Sequence, residues 1–295
     1  MQTRRRLLRN AAALLPVAAL AGRSAWALER VPLGVQLFTV RKEAERNLPH
    51  VLDQIHRIGY QEVETYPGVY TFSGEALRHM IVDAGLAVPS GHFNYDDLGT
   101  RFQYATELGL GWMVCSMIPP TMWDSFEGFH TAAKQFNAWG KQAQGMGMRF
   151  AFHNHDYEFR PLSSSGRFAA GTGITGKTGY DVLMQETDPE LVFFEVDCYW
   201  VAQAGHDPVT LMKQLGHRLK MLHLKDRAAG FPISYDMSQD SGHFEPVGRG
   251  TLDWKAILAE GERLGVEHYF VEQDETRGPA IDAVRASYRY LETIL

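Results

Sequence analysis

Eight short apolar or β-branched runs recur along this chain, and longer stretches with apolar residues at helical spacing lie between them. The runs cover 32–38, 62–65, 87–93, 112–117, 149–154, 192–197, 220–225 and 268–273, with amphipathic stretches at 48–58, 74–84, 126–146 and 254–264 among them. Gly59, Gly85, Gly147 and Gly265 each stand just before the next run, where a left-handed helix cap followed by a short loop is expected. Strands that alternate with helices run parallel, and eight of them close a barrel. The expected fold is therefore an α/β (β/α)8 TIM barrel. A doubly wound open sheet is the competing architecture, but no Gly-rich phosphate loop follows the first run. No internal repeat or linker divides residues 28–295, so they read as one domain. The segment 163–179, rich in Ser, Gly and Thr, is expected to be a loop on the catalytic face, either a lid or a tolerated insertion.

Residues 1–27 are set apart. Thr3 to Arg9 read T-R-R-R-L-L-R, an apolar run follows from Ala11 to Ala21, and Ala25-Trp26-Ala27 supplies a small-x-small site. That order is the pattern of a secretory signal too short to span a bilayer, and its paired arginines resemble a twin-arginine export signal. A periplasmic protein, carried by the twin-arginine machinery and left without a membrane anchor, is the expectation. The leader holds Arg4, Arg5, Arg6, Arg9 and Arg23 and no acid, so its removal takes the net charge from −6 to −11. So acidic a chain is a poor partner for nucleic acid. Cys115 and Cys198 are too few for a disulfide scaffold and sit among apolar neighbours, as buried thiols do.

Ionisable residues gather where the runs end: Glu62 and Glu64, His92 and Asn94, His153 and His155, Glu195 and Asp197, His223 and Lys225, Glu272 and Asp274. A spacing of two puts both members of a pair on one side of a strand. Burying that many charges costs several kcal/mol each unless they share a metal or a polar ligand. Imidazoles and carboxylates together suit a divalent ion such as Mn, Zn, Co or Fe. A partly open site of this kind would polarise a sugar carbonyl while a His or carboxylate moves the neighbouring proton. Phe38, Phe93, Trp112, Tyr157 and Trp200 either pack the barrel or offer faces to a sugar ring.

The stretches G-V-Q-L-F-T-V-R (34–41), G-Y-Q-E-V-E (59–64), F-H-N-H-D-Y-E-F (152–159), F-E-V-D-C-Y-W-V (194–201), L-H-L-K-D (222–226), P-V-G-R-G (246–250) and Y-F-V-E-Q-D (269–274) resemble the sugar phosphate isomerase/epimerase family. This is the xylose-isomerase-like barrel group, in its exported branch. The resemblance implies a metal held from strands five to eight by Glu, Asp, His and Glu. Asp197, His223 and Glu272 match the last three, whereas His153 stands where the first Glu is expected and Glu158 is the nearest carboxylate. Given that departure, Glu272 is expected as ligand or base, His155 as the second proton carrier, and Lys225 and Arg249 on substrate hydroxyls or a developing oxyanion. Glu64, His92, Asn154, Glu158 and Trp200 complete the expected substrate contacts. With a single metal-bound glutamate, elimination or aldose–ketose isomerisation is more natural than two-base epimerisation. The expected substrate is an unphosphorylated sugar or keto-glycoside, since sugar phosphates stay in the cytoplasm. A non-catalytic carbohydrate-binding barrel and an apurinic-site endonuclease are the alternatives; the acidic charge and the missing extra His and Asp ligands count against the latter.

Overall fold

The computed structural model describes residues 31–162, 177–237 and 242–295, so the leader 1–27 and most of 163–179 lie outside the described residues. The barrel strands are Leu33–Gln36 (β1), Glu62–Thr65 (β2), Ala87–Phe93 (β3), Trp112–Cys115 (β4), Arg149–His153 (β5), Val192–Asp197 (β6) and Leu219–Leu224 (β7). Asp226–Arg227 (β8) and Phe244–Glu245 (β9) form a short antiparallel ribbon, and His268–Val271 (β10) is the last barrel strand. The closed order is β1-β10-β7-β6-β5-β4-β3-β2, and each adjacent pair in it is parallel. All eight expected strands are present. Several stop one or two residues short of the sequence reading, where the chain leaves the ladder to turn over the barrel mouth.

The helices follow from local chemistry. Ser73, Ser125, Asp207 and Asp253 each cap a helix start through a side-chain oxygen. The helix Arg41–Ile58 starts earlier than its apolar pattern because it joins two segments across Asn47, whose Oδ1 accepts from the His50 N–H at 3.2 Å. Gly59, Gly85, Gly147 and Gly265 all have positive φ, as the cap reading requires.

The barrel interior is layered. Trp112, Val114, Ala151, Met221 and Phe270, with Phe193 against them, form an apolar plug. Gly34 makes room for it, since a Cβ there would meet Phe270 Cδ1 at 2.5 Å and Glu62 Cγ at 2.9 Å. Below the plug, the His268 Nδ1 lies 2.9 Å from Glu62 Oε1. This corrects one expectation: Glu62 has the inward parity of Glu64 but starts β2, so it closes the bottom of the barrel. The charged groups of the upper half sit on the plug, at the C-terminal strand ends where barrel chemistry is placed. Cys115 and Cys198 are both free and fully buried. Among the described residues no helix is long and apolar enough to cross a membrane.

Candidate metal centre

Six strands deliver the site in two tiers, and two imidazoles stand between them. The lower tier is Glu64 on β2, His92 on β3 and Glu195 on β6; His92 Nε2 lies 3.1 Å from Glu64 Oε2 and 2.7 Å from Glu195 Oε2. Gln36 Nε2 donates to Glu64 Oε2 at 2.8 Å, and the Ser90 hydroxyl donates to its Oε1 at 2.5 Å. The upper tier is Asp197 at the end of β6 and Glu272 just beyond β10. His153 puts Nδ1 3.0 Å from Glu195 Oε2 and Nε2 4.0 Å from Asp197 Oδ2. His223 puts Nε2 2.6 Å from Glu64 Oε2 and Nδ1 2.9 Å from Glu272 Oε2. Each ring thus offers one nitrogen downward and one upward.

His153, Asp197, His223 and Glu272 bring ligand atoms within 4.8 Å of one another, and all four are buried. Asp197 spends Oδ1 on the Trp200 N–H at 3.0 Å, capping the helix Cys198–Gln203. Its Oδ2 and the Oε1 of Glu195 are buried without a hydrogen-bond partner, although Lys225 Nζ lies 2.9 Å from that Oδ2. Two imidazoles, two carboxylates and unsatisfied buried oxygens fit a divalent cation. His92, His153, Glu195 and His223 form a second such group, sharing both imidazoles with the first.

Opposed charges set the protonation of these groups. Burial alone would lower His92, but Glu64 and Glu195 raise it to about 9. Burial likewise opposes His223, which Glu195 and Glu272 hold well above the usual histidine range. Burial and then the neighbouring His223 push His153 well below that range. His155 falls to about 3 through burial and the adjacent Lys225. Burial would raise Glu272, yet Lys225 and His223 keep it well below the usual carboxylate range. Lys225 stays protonated despite burial because Asp197, Asp274 and Glu272 surround it; its Nζ lies 2.6 Å from Asp274 Oδ1 and 2.7 Å from Glu272 Oε2.

The tiers open into a cavity of about 470 Å³ at the barrel mouth, and His92, His153, His155, Trp200, Lys225 and Glu272 are among the residues lining it. Trp200 Nε1 and His155 Nδ1 are buried and have no hydrogen-bond partner. Phe38 lines this cavity too, together with Phe244 from the ribbon. The other candidate aromatics pack elsewhere: Phe93 stacks on Tyr70, Tyr157 on Trp123, and Trp112 lies under Arg149.

Four expected substrate contacts fall outside this lining, and the first is Glu64, fully buried in the lower tier among Gln36, Ser90, His92 and His223. Asn154 is buried between β5 and β6, where its Oδ1 accepts from the Asp197 N–H at 3.1 Å and its Nδ2 donates to the Asp197 carbonyl at 3.4 Å. Glu158 is fully buried and turns both oxygens to the His155 N–H, each at 3.1 Å. Its carboxylate is absent from both candidate metal groups, so His153 is the residue that stands with Asp197, His223 and Glu272. Arg249 lines a different cavity, because its turn is tied down by Asp226. That buried carboxylate accepts from the N–H groups of Arg227, Gly248, Gly250 and Leu252 and from Trp254 Nε1. Sequence reasoning passed over Gln36 and Ser90, which hold Glu64. Their signal was a polar residue of inward parity two positions from an inward neighbour.

Residues 52–294 match the family of the xylose isomerase-like TIM barrel, and the chain belongs to that family. The inosose dehydratase of Clostridium tetani is 28% identical over 170 residues, which is 54% of this chain and 52% of that protein. The inosose dehydratase of Geobacillus thermodenitrificans is 28% identical over 152 residues, 49% of this chain and 46% of that protein. The chain thus spans about half the length of the curated relatives it matches. Among solved structures, a sugar phosphate isomerase/epimerase from Parabacteroides distasonis shares the fold with a TM-score of 0.73 at 23% identity, covering 90% of this chain and 95% of that one. The IolI protein, crystallised with a zinc atom, has a TM-score of 0.65 at 15% identity over 89% of this chain and 97% of its own.

Proposed function

We propose that this chain is a divalent-metal enzyme that removes a proton from the carbon beside a carbonyl in an unphosphorylated sugar or keto-glycoside, leading to elimination or isomerisation. The observation that carries the reading is the buried His153, Asp197, His223 and Glu272 group at the floor of a polar, aromatic-lined cavity. Those four residues would hold the ion, whose contribution is to polarise the carbonyl and stabilise an enediolate. The inosose dehydratases among its relatives, named for a dehydration, support chemistry of this class.

The chain's own groups divide the remaining work. His155 lines the cavity and its Nδ1 has no partner within the protein, so it is the imidazole assigned to accept the proton. The Lys225 ammonium is held by Asp197, Glu272 and Asp274 and faces the same space, where it stabilises a developing oxyanion. Glu272 is bound by both Lys225 and His223, which suits it to holding charge more than to moving a proton. With one base on one side, elimination or isomerisation is favoured over two-base epimerisation. Trp200 offers its ring and a free Nε1 donor to a sugar. The T-R-R-R-L-L-R leader supports a periplasmic site of action, and hence an unphosphorylated substrate.

The test is metal analysis of the purified protein followed by a turnover screen on keto-sugars and keto-glycosides. Near-stoichiometric Mn, Zn, Co or Fe, lost in Asp197→Ala and His223→Ala, is expected. Absence of metal after reconstitution would leave a carbohydrate-binding barrel as the better reading.

A further inference from the structure

A second cavity, of about 670 Å³, adjoins the barrel mouth, with Phe244 lining both. Four guanidinium groups share its wall: Arg249 in the P-V-G-R-G turn, Arg277, and Arg285 and Arg289 one turn apart on the helix Ala280–Leu291. Arg277 is committed, with Nη1 2.9 Å from Glu245 Oε1 and Nη2 donating to the Gly242 carbonyl at 3.0 Å. Among the described residues, Arg249, Arg285 and Arg289 have no ion-pair partner. The acids on the same wall are Glu245, already paired, and Asp282, so positive charge is in excess. That excess stands out in a chain whose net charge is −6.

Gln273 supplies an independent observation. It follows Glu272 and has the opposite parity, so it faces this cavity while Glu272 lines the barrel mouth. The residue is 5% exposed, and its Nε2 donates to the Glu275 carbonyl at 3.0 Å. Its Oε1 is buried with no donor. A buried acceptor calls for a hydroxyl or N–H on the ligand. A sulfate ion satisfies the arginines but has no proton for Gln273. A ligand that carries both an oxyanion and hydroxyl groups satisfies both.

We propose that this cavity binds an anionic sugar unit, with its carboxylate or phosphate on the unpaired arginines and a hydroxyl on Gln273 Oε1. The guanidinium fork suits such oxyanions. The sugar ring in this inference rests on the carbohydrate reading above, whereas the anion site stands apart from turnover. The unit is either the next ring of a substrate that passes Phe244 or a free sugar acid.

Isothermal titration of the purified protein with glucuronate, glucose 6-phosphate, glucose and sulfate tests it at low ionic strength. The anionic sugars are expected to bind at least about tenfold more tightly than glucose, a preference that falls to about twofold in Arg285→Gln/Arg289→Gln. Gln273→Leu is expected to weaken glucuronate and leave sulfate unchanged. Equal binding of glucose and glucuronate, or sulfate binding as tightly as the sugar anions, would overturn the proposal. So would a full preference retained in the double variant. A glucuronide disaccharide that binds more tightly than glucuronate identifies the next ring of a substrate; equal binding identifies a free acid. A protein without metal or turnover that still holds glucuronate through Arg285 and Arg289 would sink the proposed reaction and keep this site.

Discussion

The Nδ1 of His153 lies 3.0 Å from Oε2 of Glu195, which leaves Nε2 as the nitrogen turned toward Asp197. A carboxylate that accepts from the far nitrogen of a ligating imidazole fixes its tautomer and raises its basicity. Glu195→Gln is therefore expected to weaken metal affinity by about 10–100-fold while the barrel stays folded. Titration of the metal-free variant with Co²⁺, followed by absorbance, reads this directly. Unchanged affinity would show that Glu195 has no positioning role.

His155 has a different signature. His155→Ala is expected to lower kcat by about 10²–10⁴-fold with metal content unchanged. Parallel loss of metal and kcat would move His155 into the ligand set.

Glu158 gives the fold a pH dependence. Burial raises its carboxyl to about 8, against hydrogen bonds that favour the charged form. The raised value makes its contribution to stability full below the unfolded carboxyl range, near pH 4.5, and lost as pH climbs toward 8. Asp156, pushed to about 7 mainly by burial, adds a slope of the same sign. Glu158→Gln is expected to regain about 3 kcal/mol relative to wild type between pH 5 and pH 8, leaving the Asp156 part in place. Urea midpoints at the two pH values check this, and parallel curves for the two proteins would refute it.

Gly34→Ala places a methyl group 2.5 Å from Phe270 Cδ1 inside the plug. Overpacking of this kind costs about 1–3 kcal/mol. A lower Tm with unaltered metal binding is expected, because the plug lies beneath both tiers. An unchanged Tm would mean that Phe270 moves aside freely.

Much of this was legible in the sequence because barrel strands write their parity as a period of two. All eight strands, the glycine caps and the inward carboxylates and imidazoles could be read that way. Height along the barrel could not, since it depends on register between neighbours. Glu62 and Glu64 look equivalent in sequence, yet one bonds His268 below the plug and the other His223 above it. The ribbon of β8 and β9 has strands of two residues, too short for any periodicity. Arg249 looked like a mouth residue because its glycine-flanked turn suits a ligand. What turns it away is Asp226, a residue 23 positions earlier whose five bonds no local pattern reveals.

Asp226 also decides which parts of the rim can be rebuilt. Its one carboxylate ties the chain just after Lys225 to the glycine turn and to the start of the helix Trp254–Leu264. Adding or deleting a residue between Gly248 and Trp254 would break several of those bonds together. Substrate range in this barrel is therefore best retooled through other rim segments, with the Asp226 knot kept as the fixed hub around which they are exchanged.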